Sequence, residues 1–180
     1  MNPVRTLLDK FASVFLKIQA LPRYRSAARR LRPAVRVVSA SAEEGRRALQ
    51  EIFQGDADYR PGPQVTPFVA YHGARPVGFV ELVRRDLLAR EVPGYWLFSL
   101  YVRNRYRGAG IGEDLCQAVI AAARQEGADS LTLFVAPDNA PAQALYRKLG
   151  FAVITDPREL EPLQPERDAC PPVVMRKALA

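Results

Sequence analysis

Apolar positions along the chain recur with two periods, one of about two residues and one of three to four. Short apolar or alternating runs at 35–38, 67–71, 77–83, 95–102, 131–135, 151–154 and 173–177 predict strands. Helical spacing of Leu49 and Ile52 within 42–53, and of Leu115, Val119, Ile120 and Ala123 within 111–125, predicts two amphipathic helices. Ser41 or Ser39 can cap the first of these. A further helix carries Tyr146. Residues 55–63 are rich in Gly, Pro and Asp and read as a loop, and Tyr71-His72-Gly73-Ala74 reads as a hairpin turn. The order of elements predicts an α/β fold, a mixed and mostly antiparallel central sheet flanked by helices. No internal repeat is visible. A domain of residues 35–180 follows an arm of residues 1–34.

The arm has its own pattern. Val4, Leu7, Leu8, Phe11, Val14, Phe15, Ile18 and Leu21 form an apolar stripe at helical spacing. Asn2 and Pro3 can start that helix and Pro22 can stop it. Charge changes the picture most here. Arg5, Lys10, Lys17, Arg23, Arg25, Arg29, Arg30 and Arg32 face Asp9 alone, an excess equal to the whole +7 of the chain. The remaining residues are neutral in sum, so their chemistry is not to be read from the overall charge.

Four uses of the arm stay open: packing on the domain or on a second subunit as a homodimer, peripheral contact of residues 2–21 with an anionic membrane, a targeting presequence, or nucleic-acid binding. No base-reading fold accompanies the charge, which argues against specific nucleic-acid recognition. Asp9, Lys10 and Lys17 interrupt the apolar run, so neither a secretory signal nor a transmembrane helix fits, and a cytoplasmic location is expected.

Candidate chemistry lies elsewhere. Arg107, Gly108, Ala109, Gly110, Ile111 and Gly112 follow the strand at 95–102 and open the helix at 111–125. Glycines let the backbone turn with open N–H groups and approach a ligand closely. A helix starting there adds free N–H groups and the positive end of its dipole. The combination is an anion cradle suited to a phosphate or pyrophosphate. No Gly-Lys-Ser/Thr follows, so it is not a P-loop, and the glycine spacing differs from the dinucleotide fingerprint. Cys116 and Cys170 are too far apart in sequence to suggest a disulfide framework, and with His72 as the lone histidine a structural zinc site is not expected. His72 itself reads as a turn residue or, less readily, a base.

Arg-x-x-Gly-x-Gly at Arg107 resembles the acyl-coenzyme A pyrophosphate loop of the GNAT N-acetyltransferase superfamily. The stretch from Asp138 to Phe151 resembles that family's second signature, with Asn139, Ala142, Tyr146 and Leu149-Gly150-Phe151 in its order. The resemblance runs from about Val35 to Leu179. It implies the GNAT fold and an acetyl-CoA-dependent N-acetyltransferase acting on a primary amine, with acetyl-CoA as co-substrate and no metal. The backbone of Leu100, Tyr101 and Val102 takes the place that pairs with the pantetheine arm, at a bulge. Asn139 takes the place that contacts that arm, and Tyr146 the place of the acid that protonates the leaving thiolate.

The general base departs from the pattern. Many members carry Glu where Phe98 stands here, and ribosomal-protein-type N-terminal acetyltransferases carry another Glu where Phe134 stands. Glu81, on the neighbouring strand, is the best remaining carboxylate. The departure at Phe134 favours a small-molecule acceptor over a protein N-terminus. Two other readings fit the same residues: a silent acyl-CoA-binding module docking through its arm, and a longer-chain N-acyltransferase at a membrane surface. Residues 155–172 carry an acidic excess that would suit a cationic amine if they wall the acceptor cleft, and Tyr59, Tyr95 and Trp96 either line that cleft or pack the core.

Overall fold

The computed structural model describes residues 34–54, 61–85, 93–160 and 171–179. The amphipathic stripe at 2–21, Tyr59, Cys170 and most of the acidic stretch lie outside the described residues. The described residues build β1 (Val35–Ser39), α1 (Ala42–Ile52), β2 (Val65–His72), β3 (Arg75–Arg85) and β4 (Gly94–Val102). They continue with α2 (Ile111–Gln125), β5 (Ser130–Val135), α3 (Ala140–Lys148), β6 (Ala152–Val153), α4 (Pro157–Leu160) and β7 (Val173–Ala178). The seven strands form one sheet in the order β1-β2-β3-β4-β5-β7-β6. Its one parallel pair is β4 with β5, the crossover being α2, and the other pairs are antiparallel. This is the α/β architecture expected from the pattern.

The helix ends explain why these segments stop where they do. Ser41 accepts a hydrogen bond from the Glu44 N–H while the Glu44 carboxylate accepts from the Ser41 N–H, a capping box worth about 1 kcal/mol. The alternative cap, Ser39, ends β1 instead. At the end of α3, the Phe151 N–H reaches the Tyr146 carbonyl and the Gly150 N–H reaches that of Arg147. Gly150 supplies the positive φ this requires, at 86°. Phe151 then packs edge-on against Tyr146, ring centroids 5.9 Å apart. The Leu-Gly-Phe run is therefore a helix stop that holds Tyr146 in place. It also shortens the expected strand at 151–154: Phe151 is drawn into the core, leaving only Ala152 and Val153 to pair.

Each face of the sheet buries a separate set of side chains. On one, Val80, Leu82, Leu97, Leu131 and Leu133 pack with Leu115, Cys116, Val119 and Ile120 of α2 and with Tyr146 of α3. On the other, Val69 and Phe79 pack with Leu49 and Ile52 of α1. Beside them Trp96 and Val174 gather Val83, Phe98, Phe134, Ile154 and Leu160. Tyr95 and Trp96 thus divide between the faces as period-two alternation requires. Part of the acidic stretch is ordered as α4, not loop, with Glu159 paired to Arg176. No helix among the described residues is long and apolar enough to cross a membrane.

Candidate active site

The centre of the sheet opens into a fork. β4 and β5 pair only through Tyr95–Leu131, Trp96–Thr132 and Leu97–Leu133. Both strands then run on without each other, β4 to Val102 and β5 to Val135. What drives them apart is visible on the other edge of β4. Glu81 of β3 faces Phe98, but Phe79 faces Tyr101, so Val80 lies opposite both Ser99 and Leu100. This is a β-bulge, and Ser99 takes it in the left-handed region with φ 59°. A non-glycine residue there costs roughly 1–2 kcal/mol, which marks a place where backbone direction outranks local preference. Past the fork, Leu100, Tyr101 and Val102 have no pairing with β5.

The glycine loop leads out of the fork. A short 3₁₀ turn, Asn104–Tyr106, spaces β4 from the loop. Tyr106 is buried with Ala109 and Ile111, and its hydroxyl lies 3.4 Å from His72 Nδ1. The lone histidine thus braces the loop from the β2–β3 hairpin. Gly108 and Gly110 have φ of 77° and 89°, a conformation open to glycine at little cost. Among the described residues, the N–H groups of 108–113 donate to no backbone carbonyl, while the Asp114 N–H already bonds the Gly110 carbonyl. The Arg107 N–H, by contrast, bonds the Asn104 carbonyl at 3.1 Å. The open run therefore begins one residue later than the sequence suggests.

Arg107 covers the loop. Its Nε donates to the Val102 carbonyl at 2.9 Å and its guanidinium sits 5.7 Å above the Tyr101 ring. Burial lowers its pKa from the usual arginine value. Lys148 ties the end of α3 to Glu113 in the first turn of α2, 2.7 Å apart, and so balances one acidic charge beside the cradle. Arg103 reaches the other way, donating to the Glu51 carbonyl at 2.8 Å and anchoring the end of β4 to α1.

The second signature meets the fork from α3. Asn139 is the N-cap of that helix, its Oδ1 accepting from the Ala142 N–H at 3.2 Å. Gln143 holds the preceding loop through the carbonyls of Ala136 and Pro137. Tyr146 is 5 % exposed. Among the described residues its hydroxyl makes no hydrogen bond. Burial first, and the neighbouring Cys116 second, push the phenol well above its usual range, so it is a donor at any working pH.

Glu81 lies on the opposite face. It is 3 % exposed, across β3 from Pro67 and Phe98. A solvent-facing side chain is thereby ruled out. The fork thus stands between a buried carboxylate on the α1 side and a buried phenol on the α2 side.

Burial pushes the Cys116 thiol from 9.0 up to about 12, with Glu113 a lesser cause. The folded protein keeps a proton that the unfolded chain releases, so this contribution to stability is complete below pH 9 and is lost between pH 9 and about 12. The slope is about 1.4 kcal/mol per pH unit for one proton. Cys116→Ala is expected to flatten it, so that denaturant midpoints at about pH 8 and about pH 10 differ less than in the parent. Equal pH slopes in the two proteins would show that the thiol is not the group responsible.

A model of the acetyltransferase (GNAT) family matches residues 31–151. Mycothiol acetyltransferase of Saccharomonospora viridis is 38% identical over 82 residues, 46% of this chain and 21% of that protein. An uncharacterised N-acetyltransferase of Mycobacterium bovis is 35% identical over 97 residues, 54% of this chain and 59% of that one. The chain therefore spans about a fifth of the first relative's length and under two thirds of the second's. Among solved structures, the ribosomal-protein-S18-alanine N-acetyltransferase of Escherichia coli shares the fold with TM-score 0.59. That likeness covers 81% of this chain and 94% of that one at 21% identity.

Proposed function

The chain belongs to the acetyltransferase (GNAT) family, and from that premise we propose that it transfers an acetyl group from acetyl-CoA to the primary amine of a small molecule. The observation that carries this reading is the fork between β4 and β5, with open N–H groups at residues 108–113 on one side and buried Glu81 on the other. In this proposal the pyrophosphate lies against those N–H groups, where backbone donors and the α2 dipole meet its charge. The pantetheine arm runs along the open edge of Leu100, Tyr101 and Val102 and past Asn139. Arg107 shapes the loop as well as adding charge.

The thioester then sits at the fork and the acceptor approaches from the α1 face. An amine must lose its ammonium proton to attack, and Glu81 accepts it, directly or through water. The new C–N bond forms and the carbonyl electrons move to oxygen, where N–H groups of the fork stabilise them. When the C–S bond breaks, the sulfur needs a proton and the nitrogen holds one too many. Tyr146 supplies the first and is restored by the second. A small amine fits better than a protein N-terminus because Phe134 replaces the carboxylate that the latter subclass uses.

The test is thiol release from acetyl-CoA in the presence of a panel of amines. Release is expected only when an amine is present. Glu81→Gln should lower kcat/KM by about a hundredfold at neutral pH, and by less near pH 10, where far more of the amine is already neutral. A loss equal at both pH values would remove Glu81 as the base. Coenzyme binding without release on any amine would replace this proposal with the binding-module reading.

A further inference from the structure

We infer that the acceptor carries an aryl group beside its amine, held on the α1 face by Phe98 and Phe134. This rests on the transferase proposal above and adds the class of acceptor.

The last residues paired across the parallel strands are Leu97 and Leu133. The next residues on the two diverging strands are Phe98 and Phe134. Both turn to the α1 face, with ring centroids 6.2 Å apart and planes at 52°. Trp96 lies behind them, stacked on Phe98 at 5.8 Å and 17°, and 5.0 Å from Phe134. Only 1 % of the tryptophan is exposed, whereas both phenylalanines are half-buried. The trio therefore hides its indole and presents two tilted phenyl rings at the mouth of the fork. The Arg85 guanidinium closes the arrangement, 4.7 Å over Trp96 and 5.0 Å over Phe98.

Position gives these rings their meaning. Phe98 is the direct cross-strand partner of Glu81, and such partners hold their Cβ atoms about 5 Å apart. A group resting on Phe98 and Phe134 thus has any amine on a short tether beside both the carboxylate and the fork. With the Phe98 ring face under the Arg85 guanidinium, a flat ring can meet Phe98 at its edge and Phe134, tilted at 52° to it, by a second contact. A polyhydroxylated amine has the opposite fate, because hydroxyls placed against these rings give up water without new partners. The two aromatic side chains therefore read as a specificity wall beside Glu81.

The experiment measures acetyl transfer by the full chain to phenethylamine, propylamine and glucosamine at saturating acetyl-CoA. The ratio of kcat/KM for phenethylamine over propylamine is expected to be about 10². Phe134→Leu keeps the bulk and removes the aryl face, and Phe134→Ala removes both. Each should collapse that ratio by about tenfold or more, through KM for the aryl amine, with thermal melts confirming that the variants are folded. Glucosamine as the best acceptor, or a ratio that survives both substitutions, would overturn the aryl wall while leaving the transferase proposal standing. Acetyl-CoA binding with no release on any amine would overturn both.

Discussion

Gly110→Val is expected to weaken acetyl-CoA binding by a factor of about 10²–10³. Gly110 is the N-cap of α2 and holds φ 89°. Valine disfavours that region both by its Cβ and by its branching, at a cost of about 1–3 kcal/mol if the backbone is kept. The chain relieves this by turning the peptides on either side of residue 110, and those peptides carry the donors proposed for the pyrophosphate. Hydrogen bonds to a charged group are worth about 1.5–3 kcal/mol each, so loss of two accounts for the drop. Stability alone would be a rival explanation. Gly127, at the far end of α2, separates the two because it also has a positive φ, 78°, with nothing within 4 Å of an added Cβ. Gly127→Val should cost similar stability and leave the coenzyme affinity as it was. Calorimetric titration of both variants decides the matter, and unchanged affinity in Gly110→Val would remove the loop from the binding site.

The contrast between those two glycines also shows what could be read without coordinates. Strand and helix order was legible because burial imposes its period: Leu115, Val119 and Ile120 repeat along α2, and each lies in the core. The anion cradle was legible because a strand, three glycines and a helix occur in succession. What escaped was set by tertiary neighbours. Nothing about a serine announces a left-handed residue, yet Ser99 holds one because β3 and β5 pull β4 in different directions. The burial of Glu81 was equally hidden, since a carboxylate in an apolar strand is more often on the solvent side. Its 3 % exposure in the folded chain shows that it points inward. Phe98 and Phe134 stood in the sequence as departures from the family's pattern, but their geometry with Trp96 depends on a register that links residues far apart in the chain. The second signature shifted its meaning in part. Asn139 and Gly150-Phe151 act as the two caps of α3, and Tyr146 is the residue they hold.

Tyr146→Phe is expected to lower kcat by about 10²–10³ while leaving the affinity for acetyl-CoA unchanged. The substitution removes a single oxygen from a ring that is buried against Phe151. Because that hydroxyl has no hydrogen-bond partner among the described residues, the variant loses no internal bond, and its melting temperature should not fall. A large loss of rate at constant stability and constant coenzyme affinity has one reading. The hydroxyl acts only when the sulfur leaves, when charge develops that was absent in the bound thioester. The pH dependence follows from the direction of its shift. Burial raises the phenol above its ordinary 10.0, so the donor form persists through that pH and the parent kcat should show no alkaline decline assignable to this group below it. A decline near the ordinary phenol value would mean that the ring is wetter than its packing indicates. An undiminished kcat in the variant would mean either that thiolate departs unaided or that an earlier step, such as attack by a strongly basic amine, limits the rate. Repeating the comparison with a weakly basic arylamine separates these cases. A weakly basic amine is expelled from the tetrahedral intermediate more readily, which makes departure of sulfur limiting. An effect of the hydroxyl that emerges with that amine therefore assigns the proton to Tyr146, and none there would remove Tyr146 as the acid.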